Sequence, residues 1–183
     1  ARFGSRLWVV PDGTTAPADS IVVHFSPGMA FGTGEHPTTR MCLEWLDSLT
    51  PMGNAVLDYG CGSGLLAIAA LQLGAAHACA VDIDPQALDA TRNNALANAC
   101  LDRLDIRYPE EISSAQQYDV LAANILSDTL IKLGPVIYGL LQPGARLALS
   151  GVLIDQAPQV CTAWNEWVEL QVTARIDDWV LLT

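Results

Sequence analysis

The chain has 183 residues, the length of one ordinary domain with a single core. Hydrophobic residues make up 51% and charged residues 16%, so the sequence predicts a well-buried interior and excludes a disordered protein. The net charge of −11 opposes binding to nucleic acid, and no apolar stretch reaches the roughly 20 residues of a membrane span. We therefore expect neither nucleic acid nor a membrane as a partner.

The cysteines and histidines show no metal-binding or disulfide pattern. The cysteines are odd in number, and no two lie within four positions of each other: Cys42, Cys61, Cys79, Cys100 and Cys161. This spacing is typical of a protein from a reducing compartment, so the sequence predicts a cytoplasmic location and no metal site.

The first part of the chain carries few structural signals. It starts at Ala1 without Met, which we interpret as the beginning of a piece of a longer protein. The first twenty residues mix Gly, Pro and Asp around one apolar patch, and we expect a tether or edge segment outside the core. Ile21–Phe25 predicts a short strand, Ser26–Thr39 a loop, and Thr38–Leu49 a helix.

After Pro51, short apolar runs alternate with helical stretches. This alternation predicts an α/β fold with a doubly wound, mostly parallel sheet. The last two predicted strands are joined at Asp177 and Asp178 without a helix, so they should form an antiparallel hairpin at one edge. The predicted elements are Ala55–Tyr59, Leu65–Leu73, Ala78–Asp82, Gln86–Ala99, Leu104–Tyr108, Tyr118–Ala123, Asp128–Leu141, Arg146–Gly151, Asp155–Trp164, Val168–Ile176 and Trp179–Leu182.

A glycine-rich turn follows the first strand of this alternating region. In VLDYGCGSGLLAIAAL (Val56–Leu71), Gly60 and Gly62 allow a close approach of main chain to a ligand, and the following helix offers its N-terminal amides. The alternative is a plain turn without a ligand. A dinucleotide fingerprint is disfavoured, because its third glycine would stand at Leu65.

Two further polar positions lie where neighbouring strands should end. Asp82 in AVDIDP can accept hydrogen bonds from both hydroxyls of a ribose that lies over the glycine turn. Asp84 invites the same interpretation, but Asp84-Pro85 is more typical of a helix N-cap. Asn124 in AANIL either binds a ligand at the strand end or caps the next helix.

Together, these three motifs resemble the class I S-adenosylmethionine-dependent methyltransferases. The segments MAFGTGEHPTT, VDIDPQAL, ANIL and LSGVL resemble more specifically the bacterial methyltransferases of ribosomal protein L11. That resemblance implies a seven-stranded, Rossmann-like sheet and S-adenosylmethionine as cofactor. It also implies that residues 1–25 are a linker and an approach to a methyltransferase domain at 26–183, with a substrate-recognition domain missing upstream.

The resemblance also implies roles for individual residues. Cofactor contacts are expected at Thr39, Gly60, Gly62, Asp82 and Asn124. The methionine end of the cofactor should be covered by four loop residues: Phe31, Gly32, Thr33 and Gly34.

The resemblance predicts a protein N-methyltransferase that acts on lysine side chains, a terminal amine, or both, of a ribosomal protein. Asn124 would align the amine, and catalysis would rest on proximity and orientation. The alternatives are methylation of a small molecule or of another protein, and a non-catalytic module that only binds the cofactor.

Overall fold

The computed structural model describes residues 1–11, 13–25, 36–113 and 115–183. The strands of this part are β1 (Arg2–Phe3), β2 (Leu7–Val10), β3 (Ile21–His24), β4 (Ala55–Tyr59), β5 (His77–Val81), β6 (Leu104–Arg107), β7 (Tyr118–Asn124), β8 (Leu141–Leu153), β9 (Val172–Ile176) and β10 (Trp179–Leu182). The helices are α1 (Pro37–Leu49), α2 (Leu65–Gln72), α3 (Pro85–Ala97), α4 (Ser127–Tyr138) and α5 (Ala157–Trp164). None of the described helices combines the length and the apolarity that crossing a bilayer requires.

The main sheet has seven strands in the order β6-β5-β4-β7-β8-β10-β9. The five strands from β6 to β8 are parallel, whereas β10 pairs antiparallel with both β8 and β9. The predicted mostly parallel sheet and its C-terminal antiparallel hairpin are therefore confirmed. Because β4 and β7 are neighbours at the centre, the segments that follow them meet at the carboxyl edge of the sheet.

Local sequence signals explain where the helices begin. Asp84 is the N-cap of α3 and accepts a hydrogen bond from the amide of Gln86 at 2.9 Å, with Pro85 at the first helical position. The capping interpretation of Asp84 is thus confirmed. α1 begins in the same way, with His36 as N-cap and Pro37 after it.

The N-terminal residues form a second, three-stranded sheet in the order β1-β2-β3. Phe3, Leu7 and Val23 are buried in the same apolar cluster as α1 and α2. The expectation of a tether outside the core is therefore wrong. The reason lies in α2, whose residues Leu65–Leu71 are all buried, so a helix that is apolar on every side needs a cover besides the main sheet. β3 packs on α2 and contributes to that cover.

Buried polar groups fix this small sheet to the helices. The Asp47 carboxylate on α1 accepts hydrogen bonds from the amide and hydroxyl of Ser5 at 2.6 and 2.8 Å, and it forms an ion pair with Arg6. Asn98, at the end of α3, donates to the carbonyl oxygen of His24 and accepts from its amide. The predicted division of the chain at residue 26 stays a prediction.

β8 differs from its prediction in length and regularity. It begins at Leu141 rather than at Arg146, because Leu141 pairs with Tyr118 at the start of β7. Its pairing with β10 is regular at Val152 but shifts register before Leu149. Gly151 lies within this shift with a φ of +80°, which is the conformation of a glycine in a β-bulge.

Candidate functional site

The glycine-rich turn lies between β4 and α2 at the carboxyl edge of the main sheet. Gly60, Gly62 and Gly64 have φ values of +80°, +54° and +75°, a conformation that side chains with a Cβ rarely adopt. The amides of Gly60 and Cys61 donate to the carbonyl oxygen of Val81 at 2.8 and 2.9 Å. The turn is therefore held against the end of β5.

Asp82 lies directly beside this turn. Its Oδ2 accepts a hydrogen bond from the amide of Gly62 at 2.9 Å, and its Oδ1 accepts from the amide of Asp84 at 3.0 Å. A carboxylate has about four acceptor positions, so each oxygen can still accept a hydrogen bond from a ligand. The structure thus brings together two residues that the sequence had predicted as one site.

Asp58 is a residue of the site that the sequence analysis did not select. It is the fourth residue of β4, and its Oδ2 accepts a hydrogen bond from the amide of Ala67 in α2 at 3.0 Å. Its Oδ1 is buried and has no hydrogen-bond partner among the described residues. Burial raises the pKa of Asp58 to about 7, and this effect exceeds that of the Ala67 hydrogen bond, which lowers it. The position of Asp58, two residues before Gly60, was the sequence signal that could have marked it.

α3 supports the turn from behind with two polar side chains. The hydroxyl of Thr91 donates to the carbonyl oxygen of Gly62 at 3.1 Å. The side-chain amide of Asn94 donates to the carbonyl oxygen of Ser63 at 3.0 Å. A Cβ on Gly64 would lie 2.6 Å from the Cγ2 of Thr91, so the helix and the turn are in direct contact. No local pattern marks Thr91 or Asn94, because their partners lie about 30 positions away.

Asn124 is the last residue of β7 and lies half-buried at the same edge of the sheet. Its Nδ2 donates to the hydroxyl oxygen of Thr39, on α1, at 3.2 Å. Two more of the predicted site residues are thus in contact, although 85 positions separate them. No described residue donates to the Oδ1 of Asn124, so among these residues that oxygen is free to accept a hydrogen bond.

Asn124 does not cap the helix that follows it. The N-cap of α4 is Leu126, which has an extended backbone and makes no side-chain capping bond. The capping alternative for Asn124 is therefore wrong. The four loop residues predicted to cover the cofactor, Phe31, Gly32, Thr33 and Gly34, lie outside the described residues.

These groups together form two halves of one rim. The β4–β5 half offers acceptor oxygens at Asp82 beside the glycine turn, and the buried Asp58 supports that turn from below. The β7–β8 half offers an oriented amide at Asn124. Such a donor and acceptor set fits a ligand with adjacent hydroxyls on one side and a reacting group on the other.

Comparison with known proteins adds the family. The model of the family described as ribosomal protein L11 methyltransferase (PrmA) matches residues 1–183. The chain belongs to this family. It is 49% identical over all its residues to the ribosomal protein L11 methyltransferase of Shewanella amazonensis and 48% identical to that of Escherichia coli. In both comparisons the chain spans 62% of the relative's length.

Solved structures give the same fold. The ribosomal protein L11 methylase of Lactobacillus delbrueckii subsp. bulgaricus superposes with a TM-score of 0.82 at 29% identity, covering 97% of this chain and 93% of the other. A T. thermophilus 16S rRNA methyltransferase, solved in complex with AdoMet and guanosine, has a TM-score of 0.71 at 20% identity. That second match covers 84% of this chain and 44% of the other, and it shows only that the fold is shared.

Proposed function

We propose that this PrmA-family chain carries the catalytic site of an S-adenosylmethionine-dependent protein N-methyltransferase. Its substrate would be ribosomal protein L11, modified on lysine side chains, on the terminal amine, or on both. The observation that carries the proposal is the rim itself, where the Asp82–Gly62 contact and the Asn124–Thr39 contact face the same edge of the sheet. The names of the relatives supply the substrate class.

The residues of the β4–β5 half fit the cofactor chemically. Asp82 retains acceptor capacity for the two ribose hydroxyls, and the turn at Gly60 and Gly62 lies directly beside it. The buried Asp58 supports the start of α2 behind the turn, because its Oδ2 accepts a hydrogen bond from the amide of Ala67. Phe31, Gly32, Thr33 and Gly34 remain proposed contacts for its methionine end.

The cofactor supplies an activated methyl group on a sulfonium. When bound, it would give its methyl carbon to the amine nitrogen and would keep the electron pair of the broken carbon–sulfur bond on sulfur as a thioether. Asn124 would accept an N–H of the neutral amine through Oδ1 and so direct its lone pair, while Thr39 fixes the amide's orientation. The proton released from the nitrogen goes to water.

A cytoplasmic location and a basic protein partner belong to the same proposal. The five cysteines, all in the described part of the chain, are free thiols, and four of them are buried. A net charge of −11 favours a basic ribosomal protein over a nucleic acid.

Two measurements test the proposal. Calorimetry should detect binding of S-adenosylmethionine, and mass spectrometry should detect added methyl groups on purified L11 incubated with this chain and the cofactor. Asn124→Ala is the matched control, because it should bind the cofactor and yet transfer little. Cofactor binding with methylation of a small molecule or another protein instead of L11 contradicts the substrate. Binding without transfer to any amine favours a non-catalytic module.

A further inference from the structure

The residue after β7, Ile125, is held by a main-chain hydrogen bond to the neighbouring strand β8. Asn124 pairs in parallel register with Ser150, and the amide of Ile125 donates to the carbonyl oxygen of Ser150 at 3.2 Å. The pairing of the two strands therefore continues one residue beyond the regular end of β7, up to the bulge at Gly151.

Gly151 touches the main chain of Ile125 directly. A Cβ built on Gly151 would collide with the carbonyl oxygen of Ile125, and it would lie 2.8 Å from the carbonyl carbon and 3.1 Å from the nitrogen. These atoms are main chain and cannot move aside by a side-chain rotation. Any side chain at position 151 must displace the Ile125 peptide, and with it the adjoining Asn124.

A second glycine, Gly60, approaches Ile125 from the end of β4, which is the other neighbour of β7 in the sheet. A Cβ on Gly60 would collide with the Cγ2 of Ile125, while the Cβ of Ile125 lies 3.6 Å away. The main steric partner of Gly60 is thus a protein side chain. Ile125, which is half-buried, lies between two glycines that both have a φ of +80°.

We propose that Gly151 and Gly60 are positioning residues that clamp Ile125 and thereby fix Asn124 for methyl transfer. Gly151 acts on the main chain of Ile125, and Gly60 acts on its side chain. This inference rests on the proposed function, since it concerns the same amine site. Bulges commonly lie next to active sites and re-aim a neighbouring side chain, which is the role of the β8 bulge here.

The decisive experiment compares Gly151→Ala with Gly144→Ala. Gly144 lies on the same strand and has a φ of +81°, but no described atom lies within 4 Å of a Cβ built there. Both variants carry the same backbone strain, and only Gly151→Ala pushes on Ile125. Single-turnover methylation of L11 and cofactor affinity are measured for both variants and for the parent chain.

We expect Gly151→Ala to transfer the methyl group about 10- to 100-fold more slowly than Gly144→Ala, because displacement by about 1 Å can cost roughly 100-fold. Cofactor affinity should be the same in the two variants, whereas the thermal midpoint of Gly151→Ala should be the lower one, because only its Cβ meets main-chain atoms. Equal transfer rates overturn the proposal. A parallel loss of rate and affinity in Gly151→Ala also overturns it, because it indicates a general structural role.

Amide chemical shifts give a readout that does not depend on activity. Gly151→Ala should move the backbone signals of Asn124, Ile125 and Leu126, and Gly144→Ala should leave them unchanged. If the parent chain does not methylate L11, the proposed function fails, and these shifts alone decide about the clamp. Unchanged signals in Gly151→Ala overturn the clamp in either case.

A double-variant cycle keeps the test valid if Gly151→Ala does not fold. Gly60→Ala should slow transfer, and adding Ile125→Ala should restore part of the lost rate, because it removes the Cγ2 that a Cβ at position 60 meets. The absence of any rescue relative to Ile125→Ala alone contradicts the proposal.

Discussion

The two halves of the rim are held by different kinds of contact. In the β4–β5 half, side chains donate to or accept from the main chain of the glycine turn, as Asp82, Thr91 and Asn94 do. In the β7–β8 half, one side-chain hydrogen bond joins Asn124 to Thr39, a main-chain bond joins Ile125 to Ser150, and glycines pack closely on Ile125. The first half is built to present fixed polar groups to a ligand, and the second to hold one amide in place. Substitutions in the first half should therefore change mainly cofactor affinity, and substitutions in the second half mainly the rate of methyl transfer.

The largest expected effect is on the transfer rate of Asn124→Ala. Removing the amide should slow single-turnover methylation by about 100-fold while cofactor affinity changes much less, because the lost contact orients the amine. Thr39→Val should give a smaller loss, since Asn124 remains but loses the acceptor of its Nδ2. A parent-like rate in Asn124→Ala would remove the distinction between the two halves.

Asp82→Ala should lower cofactor affinity rather than the rate of methyl transfer. Loss of a charged acceptor should weaken cofactor binding by about 1.5 to 3 kcal/mol, as calorimetry would measure. The neighbouring Asp84→Ala is the control, because Asp84 caps α3 and should affect the thermal midpoint rather than affinity. Equal affinity losses in the two variants would mean that Asp82 has no special role.

The buried Asp58 in the β4–β5 half should make the free energy of unfolding depend on pH. Its folded-state pKa of about 7 lies above the unfolded value near 4, so the folded chain holds the proton more tightly. Its contribution to stability is complete below about pH 4 and is lost as the pH rises to about 7. Relative to Asp58→Asn, the cofactor-free parent should lose as much as about 1.4 kcal/mol of unfolding free energy per pH unit in that window. Denaturant titrations from pH 4 to 8 measure this difference, and parallel profiles would contradict it.

Thr91→Val gives the smallest expected effect. It removes the hydroxyl that bonds to the carbonyl oxygen of Gly62 and to the Sγ of Cys61, so cofactor affinity should fall by about 0.5 to 1.5 kcal/mol with an unchanged transfer rate at saturating cofactor. Thr91→Ser keeps the hydroxyl and should remain close to the parent. A rate loss in Thr91→Val would show that the two halves are coupled.

The sequence was informative where a residue's role depends on its neighbours in the chain. The mostly parallel α/β sheet, the C-terminal hairpin and the N-cap at Asp84 could be predicted from local patterns. The place of Asp82 in the site could be predicted because it follows the end of a strand. The contacts of Thr91 with Gly62 and of Gly151 with Ile125 join distant segments, and no local pattern marks them. The tether prediction failed for the same reason, because the burial of Phe3 and Leu7 depends on α1 and α2.

The burial of α2 has a consequence for how the molecule opens. A helix with no solvent-facing side has no partial unfolding motion that leaves the rest of the core intact, so its amide hydrogens should exchange only with global opening. The glycine turn is attached to the first residue of this helix. Its shape should consequently persist for as long as the domain itself is folded, and ligand binding there would stabilise the whole domain rather than a local loop.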